Sequence, residues 1–177
     1  MNIFAQIKEV SQYAKVTYYT ILFEENDSFD GYSEFEKFII AHSGNEEIKE
    51  EFDNILTWIE AIGDRFGAQV KYFRHERKAD ALPPKKGRLN KEERKLWIQQ
   101  EGNLRLYCMR VNESIVFLFN GGIKTSGPLT AEDCNVVRDY FRMANKLADK
   151  ITEAITDKEI ILADKRIRFN LDFELIL

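Results

Sequence analysis

The sequence has little of what small extracellular, fibrous and membrane proteins depend on. It contains two cysteines, three prolines and nine glycines in 177 residues. Two cysteines do not make a disulfide framework, and so few prolines and glycines exclude collagen-like and low-complexity chains. No apolar run approaches the roughly 18 residues of a transmembrane helix. The first residues lack the basic start and apolar stretch of a secretory signal, so we expect a cytoplasmic protein with reduced thiols.

Common catalytic and cofactor motifs are absent as well. The sequence has no glycine-rich dinucleotide loop, Walker loop, serine-hydrolase elbow or CxxC pair. The two histidines, His42 and His75, are too few for a histidine-based metal site, so we expect neither a metal nor a cofactor. His75 lies in a basic run, where it is either a phosphate contact or a solvated surface residue. Cys108, on a predicted strand, and Cys134, at a predicted helix start, are expected to be structural.

Apolar residues and an uneven charge distribution are what the sequence does contain. Hydrophobic residues make up 44% of the chain, with thirteen phenylalanines, enough for one globular domain over residues 1–177. Residues 24–64 carry thirteen acidic and two basic side chains, whereas residues 65–110 carry thirteen basic and five acidic ones. This asymmetry indicates either a polyanion-binding face or two segments that neutralise each other in the fold.

Hydrophobic periodicity predicts the first elements. Apolar residues at helical spacing over residues 2–13 predict a short leading helix. The β-branched and aromatic run over 16–24 predicts a buried strand. Ser33 followed by Glu36 matches a capping box, which predicts a helix over 34–42.

A second helix and a basic segment follow. Apolar residues step by three and four between Ile48 and Phe66, which predicts an amphipathic helix and, with the preceding one, a helical hairpin with an acidic outer face. Residues 67–95 are basic and have little periodicity, so we expect a helix extension that gives way to a long loop. Residues 96–100, LWIQQ, predict a short strand.

The rest of the chain predicts strands, one helix and a terminal hairpin. Residues 103–111 and 114–120 form two predicted strands joined by a tight turn. Thr130 is a good N-cap for a helix over about 131–155. Residues 159–177 predict a β-hairpin whose second strand alternates cleanly. The order of elements predicts an α+β plan with an antiparallel meander.

One pair of predicted strands places chemistry-bearing side chains together. Strand alternation puts Arg105 and Tyr107 on one face and Arg110 on the other. Lys124, just past the end of the neighbouring strand, is placed to approach either group. A guanidinium, an ammonium and a phenol over a sheet suit phosphate binding and base stacking. An ordinary strand with a wet face explains the same pattern.

The stretch LRLYCMRVNESIVFLFNGGIKT (104–125) resembles the central hairpin of the RelE/ParE toxin superfamily, and in particular its HigB-like, phage-derived branch. The shared features are an Arg-x-Tyr strand, a short polar turn, an apolar strand and a Lys-Thr pair. Residues 23–42 are similar to that branch's passage from first strand to first helix. The resemblance covers 16–125 as a toxin core and leaves 126–177 as an extension. It implies an α+β fold with a small twisted antiparallel sheet packed on a helical hairpin, to which this chain adds a C-terminal helix and β-hairpin.

The resemblance also implies a function. Members of this superfamily include toxins of type II toxin-antitoxin systems, many of them ribosome-dependent mRNA endonucleases that promote attack of a ribose 2′-hydroxyl on the adjacent phosphate without a metal. The implied roles are phosphate binding for Arg105, base stacking or proton transfer for Tyr107, and charge stabilisation for Lys124. The implied partners are the ribosome, mRNA and a small antitoxin, often with a helix-turn-helix domain.

Further basic residues are expected to hold RNA. Lys85, Lys86 and Arg88 of the basic segment would bind the RNA backbone electrostatically. Arg110 is an additional candidate from the strand itself rather than from the resemblance.

The chain departs from the toxin pattern in ways that keep other functions open. It is longer than typical members and carries a net charge of −4, and Gln99 and Gln100 stand where an arginine is expected. The extension would cover the active face, bind a partner or form a homodimer. A second hypothesis is therefore a non-catalytic RelE/ParE-like protein-binding module, such as a gyrase inhibitor or an inactive paralogue. A third is an unrelated α+β domain.

Overall fold

The computed structural model describes residues 2–97, 102–125, 135 and 137–177. These residues form nine strands: β1 (Phe4–Gln12), β2 (Thr17–Phe23), β3 (Arg74–Glu76), β4 (Ala79–Leu82), β5 (Leu104–Arg110), β6 (Ile115–Ile123), β7 (Ile161–Ala163), β8 (Arg166–Arg168) and β9 (Leu175–Ile176). They also form the helices α1 (Glu34–His42), α2 (Lys49–Ala61) and α3 (Arg138–Thr156). None of these helices combines the length and apolar character needed to span a bilayer.

Seven of the strands form one mixed sheet in the order β3-β4-β5-β6-β2-β1-β9, while β7 and β8 pair separately. Neighbouring strands are antiparallel except β2 and β6, which are parallel. The predicted α+β class, with a C-terminal helix and β-hairpin, is confirmed, and the sheet is larger than expected. Because β9 pairs with β1, the C-terminal segment completes the sheet rather than lying outside it.

Each face of the sheet has its own apolar core. On one face, α3 packs Phe141 and Leu147 against Tyr107 and Phe117 of the sheet. We call this the α3 face. On the other face, α1 and α2 bury a second set of apolar side chains, which includes Phe38, Ile55 and Trp58. These pack with residues of the same strands that point the opposite way, such as Leu106 and Val116. Burial of each such large side chain contributes about 1.5–3 kcal/mol, so both faces stabilise the fold.

The start of α1 follows directly from local sequence. The backbone N–H of Glu36 donates to Ser33 Oγ at 3.3 Å, and the backbone N–H of Ser33 donates to Glu36 Oε2 at 2.8 Å. Hydrogen bonds from the side chain and the backbone N–H of Ser33 lower the pKa of the Glu36 carboxyl. The predicted capping box is therefore confirmed, and both bonds satisfy backbone donors that the first helical turn leaves without partners.

The N-terminal prediction is wrong, because residues 2–13 form the strand β1 instead of a helix. The register of β1 against β2 shifts between Glu9 and Ser11, which marks a bulge. Ile7 packs on the α3 face and Val10 on the opposite core, as strand alternation requires of residues three apart. Two apolar residues three apart therefore pack on opposite faces of this strand, although the same spacing would place them on one face of a helix.

The prediction of a loop over 67–95 is wrong in part, because this segment contains the hairpin of β3 and β4. In the segment LWIQQ, which was predicted as a strand, Leu96 is the last residue of a 3₁₀ turn. Residues 98–100 lie outside the described residues. The predicted helix over 131–155 is seen from Arg138 to Thr156, whereas Thr130 and Cys134 also lie outside the described residues.

The last predicted strand does not run unbroken from 166 to 175. It divides into β8 and β9, which belong to different sheets. Between them the backbone N–H of Phe173 donates to the Asn170 carbonyl at 3.0 Å, and the Phe169 and Phe173 rings lie 5.9 Å apart. Leu171, at the tip of this turn, is fully exposed. The alternation predicted one strand because it does not record which partner each half pairs with.

Candidate functional site

The pairing of β5 with β6 places Arg105 and Lys124 at the same end of the sheet. Arg105 lies opposite Gly122, and the backbone N–H of Lys124 donates to the Asn103 carbonyl at 2.8 Å. The two backbones are so close at Gly121 that a Cβ there would lie 1.9 Å from the Arg105 carbonyl oxygen. Only glycine fits this position, which gives the GGIKT segment a structural reason.

Two residues of the edge strand β3 join Arg105 on the α3 face. Arg74 lies opposite Ala81, which in turn lies opposite Tyr107, so these positions share a face with Arg105. Glu76 follows two residues after Arg74 and points the same way. The charges of four basic side chains act on Glu76, and we call these residues together the Glu76 cluster: Arg74, Glu76, Lys85, Arg105 and Lys124.

Electrostatics within the Glu76 cluster are unusual for a carboxylate near so many cations. Burial raises the pKa of the half-buried Glu76 carboxyl above its ordinary value of 4.5. The positive charges of Lys124, Arg105, Arg74 and Lys85 act in the opposite direction without outweighing the loss of hydration. Because the charged form is disfavoured by desolvation, this carboxyl exchanges a proton at a higher pH than an exposed glutamate.

The two arginines of the Glu76 cluster are held in place by the backbone. Arg105 is 8% exposed, and its Nη1 donates to the carbonyls of Gly102 at 2.8 Å and Leu104 at 2.9 Å. Arg74 is 7% exposed, and its Nε donates to the Pro83 carbonyl at 2.7 Å. Fixed guanidinium groups lose little entropy when an anion approaches, so this arrangement favours phosphate or another oxyanion.

The chemistry available to the Glu76 cluster is proton transfer beside a bound anion. A carboxylate of raised pKa is a general base or acid, and neighbouring cations stabilise negative charge that develops in a transition state. The sequence predictions included Arg105, Lys124 and Lys85 but missed Arg74 and Glu76. The R-x-E alternation at 74–76 was the available signal, and it lies in the segment predicted as a loop.

Tyr107, predicted to stack on a base or transfer a proton, is not part of this cluster's accessible surface. Its side chain is completely buried, and its ring meets Phe141 of α3 edge-on with centroids 6.1 Å apart. A residue that stacks on a base needs an open ring face. In this structure α3 covers that face, so Tyr107 is a core residue here.

Two of the predicted RNA-binding residues lie elsewhere, in a groove on the other side of β3. We call it the edge groove. It has a volume of about 390 Å³ and is lined by Val70, Phe73, His75, Lys78, Asp80, Arg88 and Arg110. Of the basic residues predicted to hold RNA, the structure therefore places Arg88 and Arg110 in this groove and Lys85 in the Glu76 cluster. Lys86 is exposed and belongs to neither group.

Neither cysteine chemistry nor a metal centre adds to these two sites in the described part of the chain. Burial raises the pKa of the Cys108 thiol well above its ordinary value, so this side chain is a neutral core residue. Among the described residues, no three His, Cys, Asp or Glu side chains are grouped to hold a metal ion. Cys134, Gln99 and Gln100 lie outside the described residues.

Comparison with protein-family models, curated proteins and solved structures finds no match to this chain.

Proposed function

We propose that this protein is a toxin of RelE/ParE type that cleaves RNA at the Glu76 cluster. Glu76 accepts the proton of a ribose 2′-hydroxyl, whose oxygen attacks the adjacent phosphorus. The bond to the 5′ oxygen breaks, and this oxygen takes a proton from solvent. Arg105 and Lys124 bind the phosphate and stabilise the additional negative charge of the transition state.

The observation that carries the proposal is the placement of one desolvated carboxylate among four cations. The element order supports it, since the strand β2, the helices α1 and α2 and the antiparallel pair β5 and β6 follow in the order that the resemblance implies, with the β3–β4 hairpin before that pair. The basic excess of residues 65–110 also supports it, because RNA binding depends on phosphate contacts.

The experiment is induced expression without an antitoxin, followed by mapping of mRNA ends on translating ribosomes. We expect wild-type protein to stop growth and cleave mRNA, and Lys124→Ala to relieve both. Lys91→Ala is the matched control, since Lys91 is an exposed lysine outside the cluster. Arg105→Ala is added with a thermal melt, because this buried side chain also supports the fold. Unaffected growth and intact mRNA at confirmed wild-type expression would contradict the proposal.

A second candidate is a non-catalytic relative that acts by binding a protein such as gyrase. The burial of Tyr107 beneath α3 favours it, since one member of the implied catalytic set is then out of reach of RNA. Growth arrest that survives both Lys124→Ala and Glu76→Gln, without mRNA cleavage, would select this alternative.

A further inference from the structure

The edge groove contains a cationic surface that the cleavage step does not use. Three of its lining side chains, Lys78, Arg88 and Arg110, carry a positive charge and one, Asp80, a negative charge, and Lys78 is also paired with Asp149 of α3. Its volume of about 390 Å³ is within the range of about 300–1,000 Å³ that small-molecule sites occupy. The groove is therefore large enough for one nucleotide and carries a net positive charge.

The carboxylate in the edge groove is engaged by the protein itself. The backbone N–H of Arg110 donates to Asp80 Oδ2 at 2.9 Å, and His75 Nδ1 lies 3.8 Å from Asp80 Oδ1. Burial raises the pKa of Asp80, which Arg110 and His75 partly counter. Asp80 thus binds the backbone of Arg110 and lies near His75, and these groups partly offset the charge that it presents to an incoming phosphate.

The cations of the groove differ in how firmly they are held. Arg110 Nε donates to the Ala68 carbonyl, and Lys78 Nζ donates to Asp149 of α3. Arg88 is exposed on a 3₁₀ turn, and its Nη1 donates a long hydrogen bond of 3.4 Å to the Phe73 carbonyl. Val70, which is 65% exposed, adds an apolar surface beside them. Fixed cations, one adaptable arginine and an apolar patch together suit a phosphate with its attached base.

The edge groove and the Glu76 cluster are separated by one strand. His75 lines the groove and its neighbour Glu76 lies in the cluster, on opposite faces of β3. Since β3 is the outermost strand of the sheet, nothing within the sheet lies beyond it. A single-stranded chain that crosses this edge contacts both sites.

We infer that the edge groove is a second RNA-binding site, which holds a phosphodiester of the same single strand whose neighbouring part enters the Glu76 cluster. This inference rests on the proposed function for its choice of ligand. In this inference Arg88 and Arg110 bind the RNA strand, and proton transfer takes place at the Glu76 cluster.

The test measures binding separately from cleavage. A short, fluorescent, single-stranded RNA with 2′-O-methyl riboses is the probe, because it carries the phosphates but no attacking hydroxyl. Anisotropy titrations over a range of salt give the affinity and its salt dependence. For Arg88→Gln we expect a several-fold weaker affinity and a slope of log K against log salt smaller by about 0.7, the value for one phosphate contact to a single strand.

Two comparisons make the result specific to the groove: Arg88→Gln with Lys91→Gln, and Val70→Glu with Val70→Gln. Lys91→Gln removes a charge from an exposed site outside it and should leave affinity and slope close to wild type. Val70→Glu and Val70→Gln have nearly the same shape at an exposed lining position, so only the added charge distinguishes them. We expect Val70→Glu to weaken binding and Val70→Gln to leave it largely unchanged.

The inference is overturned if wild-type protein does not bind the probe, or if Arg88→Gln and Val70→Glu bind as wild type does. Its failure is distinguishable from failure of the proposed function. If Arg88→Gln and Val70→Glu both cleave RNA and bind the probe as wild type does, the proposed role of the edge groove is wrong and the nuclease proposal stands. Binding that depends on Arg88 in a protein that neither cleaves mRNA nor stops growth would keep the groove and remove the nuclease.

Discussion

Two glutamates, the half-buried Glu76 on the α3 face and the buried Glu93 near the opposite core, show how the same side chain is used in two ways. Glu93 accepts hydrogen bonds from Lys71 Nζ at 2.5 Å, Tyr72 Oη at 2.7 Å and the Asn90 backbone N–H at 2.9 Å. Although burial acts to raise the pKa of Glu93, these bonds outweigh it and the pKa is lowered. The Glu76 carboxylate accepts no hydrogen bond from any described residue, and burial raises its pKa.

The difference shows that nearby cations do not by themselves keep a carboxyl group in its charged form. Direct hydrogen bonds stabilise the charged form of Glu93 and make it a structural anchor. At Glu76, positive charges act over a longer range and do not replace the lost hydration. Such a group keeps its proton-transfer capacity, which is what a catalytic base requires.

The largest expected effect is on cleavage. Glu76→Gln removes the proposed base while keeping the size of the side chain, so, if the protein cleaves RNA as proposed, we expect mRNA cleavage to fall by about 10²–10⁴-fold. Ribosome-dependent cleavage assays with purified protein measure this. Glu93→Gln at matched folded concentration should retain most of the activity. Equal loss in both variants would remove the distinction between the two carboxylates.

The next effect concerns the face that covers Tyr107. Phe141 of α3 is buried, its ring contacts Tyr107, and the Arg77 guanidinium lies 5.7 Å from the centre of that ring. Phe141→Ala should therefore lower the free energy of unfolding by about 3–5 kcal/mol. Urea unfolding followed by circular dichroism measures the change.

Leu171→Ala is the control for that variant, because the fully exposed Leu171 should cost no more than about 0.5 kcal/mol. A small effect of Phe141→Ala would mean that α3 does not hold the Tyr107 face closed, and would return Tyr107 to the set of residues that can meet RNA.

The smallest effects are the opposite pH dependences of the two glutamates. Removing the buried charge of Glu93 with Glu93→Gln should lower the free energy of unfolding by about 1–3 kcal/mol near neutral pH. Since the folded-state pKa of Glu93 is below the ordinary 4.5, its contribution is present above 4.5 and is lost as pH falls through the folded value. The difference from wild type should therefore shrink in acid.

Glu76 should behave in the reverse sense. Its folded-state pKa is above 4.5, so the folded protein binds more protons there than the unfolded chain does. Its contribution to stability is full below 4.5 and is lost as pH rises through the folded value. Urea titrations of wild type, Glu76→Gln and Glu93→Gln across this range test both signs, and two curves of the same sign would end the comparison.

Local sequence was sufficient for some elements and insufficient for others. Ser33 and Glu36 determine the start of α1 because a capping box needs only four consecutive residues. The strands around 104–110 and 115–123 were predictable because the first alternates in sequence and the second begins with an apolar run typical of a buried strand. The β1 strand was not, since its apolar residues Ile7 and Val10 face opposite cores and so mimic the spacing of a helix.

The sequence by itself determined the α+β class, the basic character of residues 65–110 and the pair Arg105 and Lys124, because composition and strand alternation are local properties. Only the tertiary structure decided that Arg74 and Glu76 join that pair, that Arg88 and Arg110 line a separate groove, and that α3 buries Tyr107. These outcomes depend on which strands pair and which helix covers which face. The contacts that select such pairings join residues far apart in the chain, so no local pattern contains them.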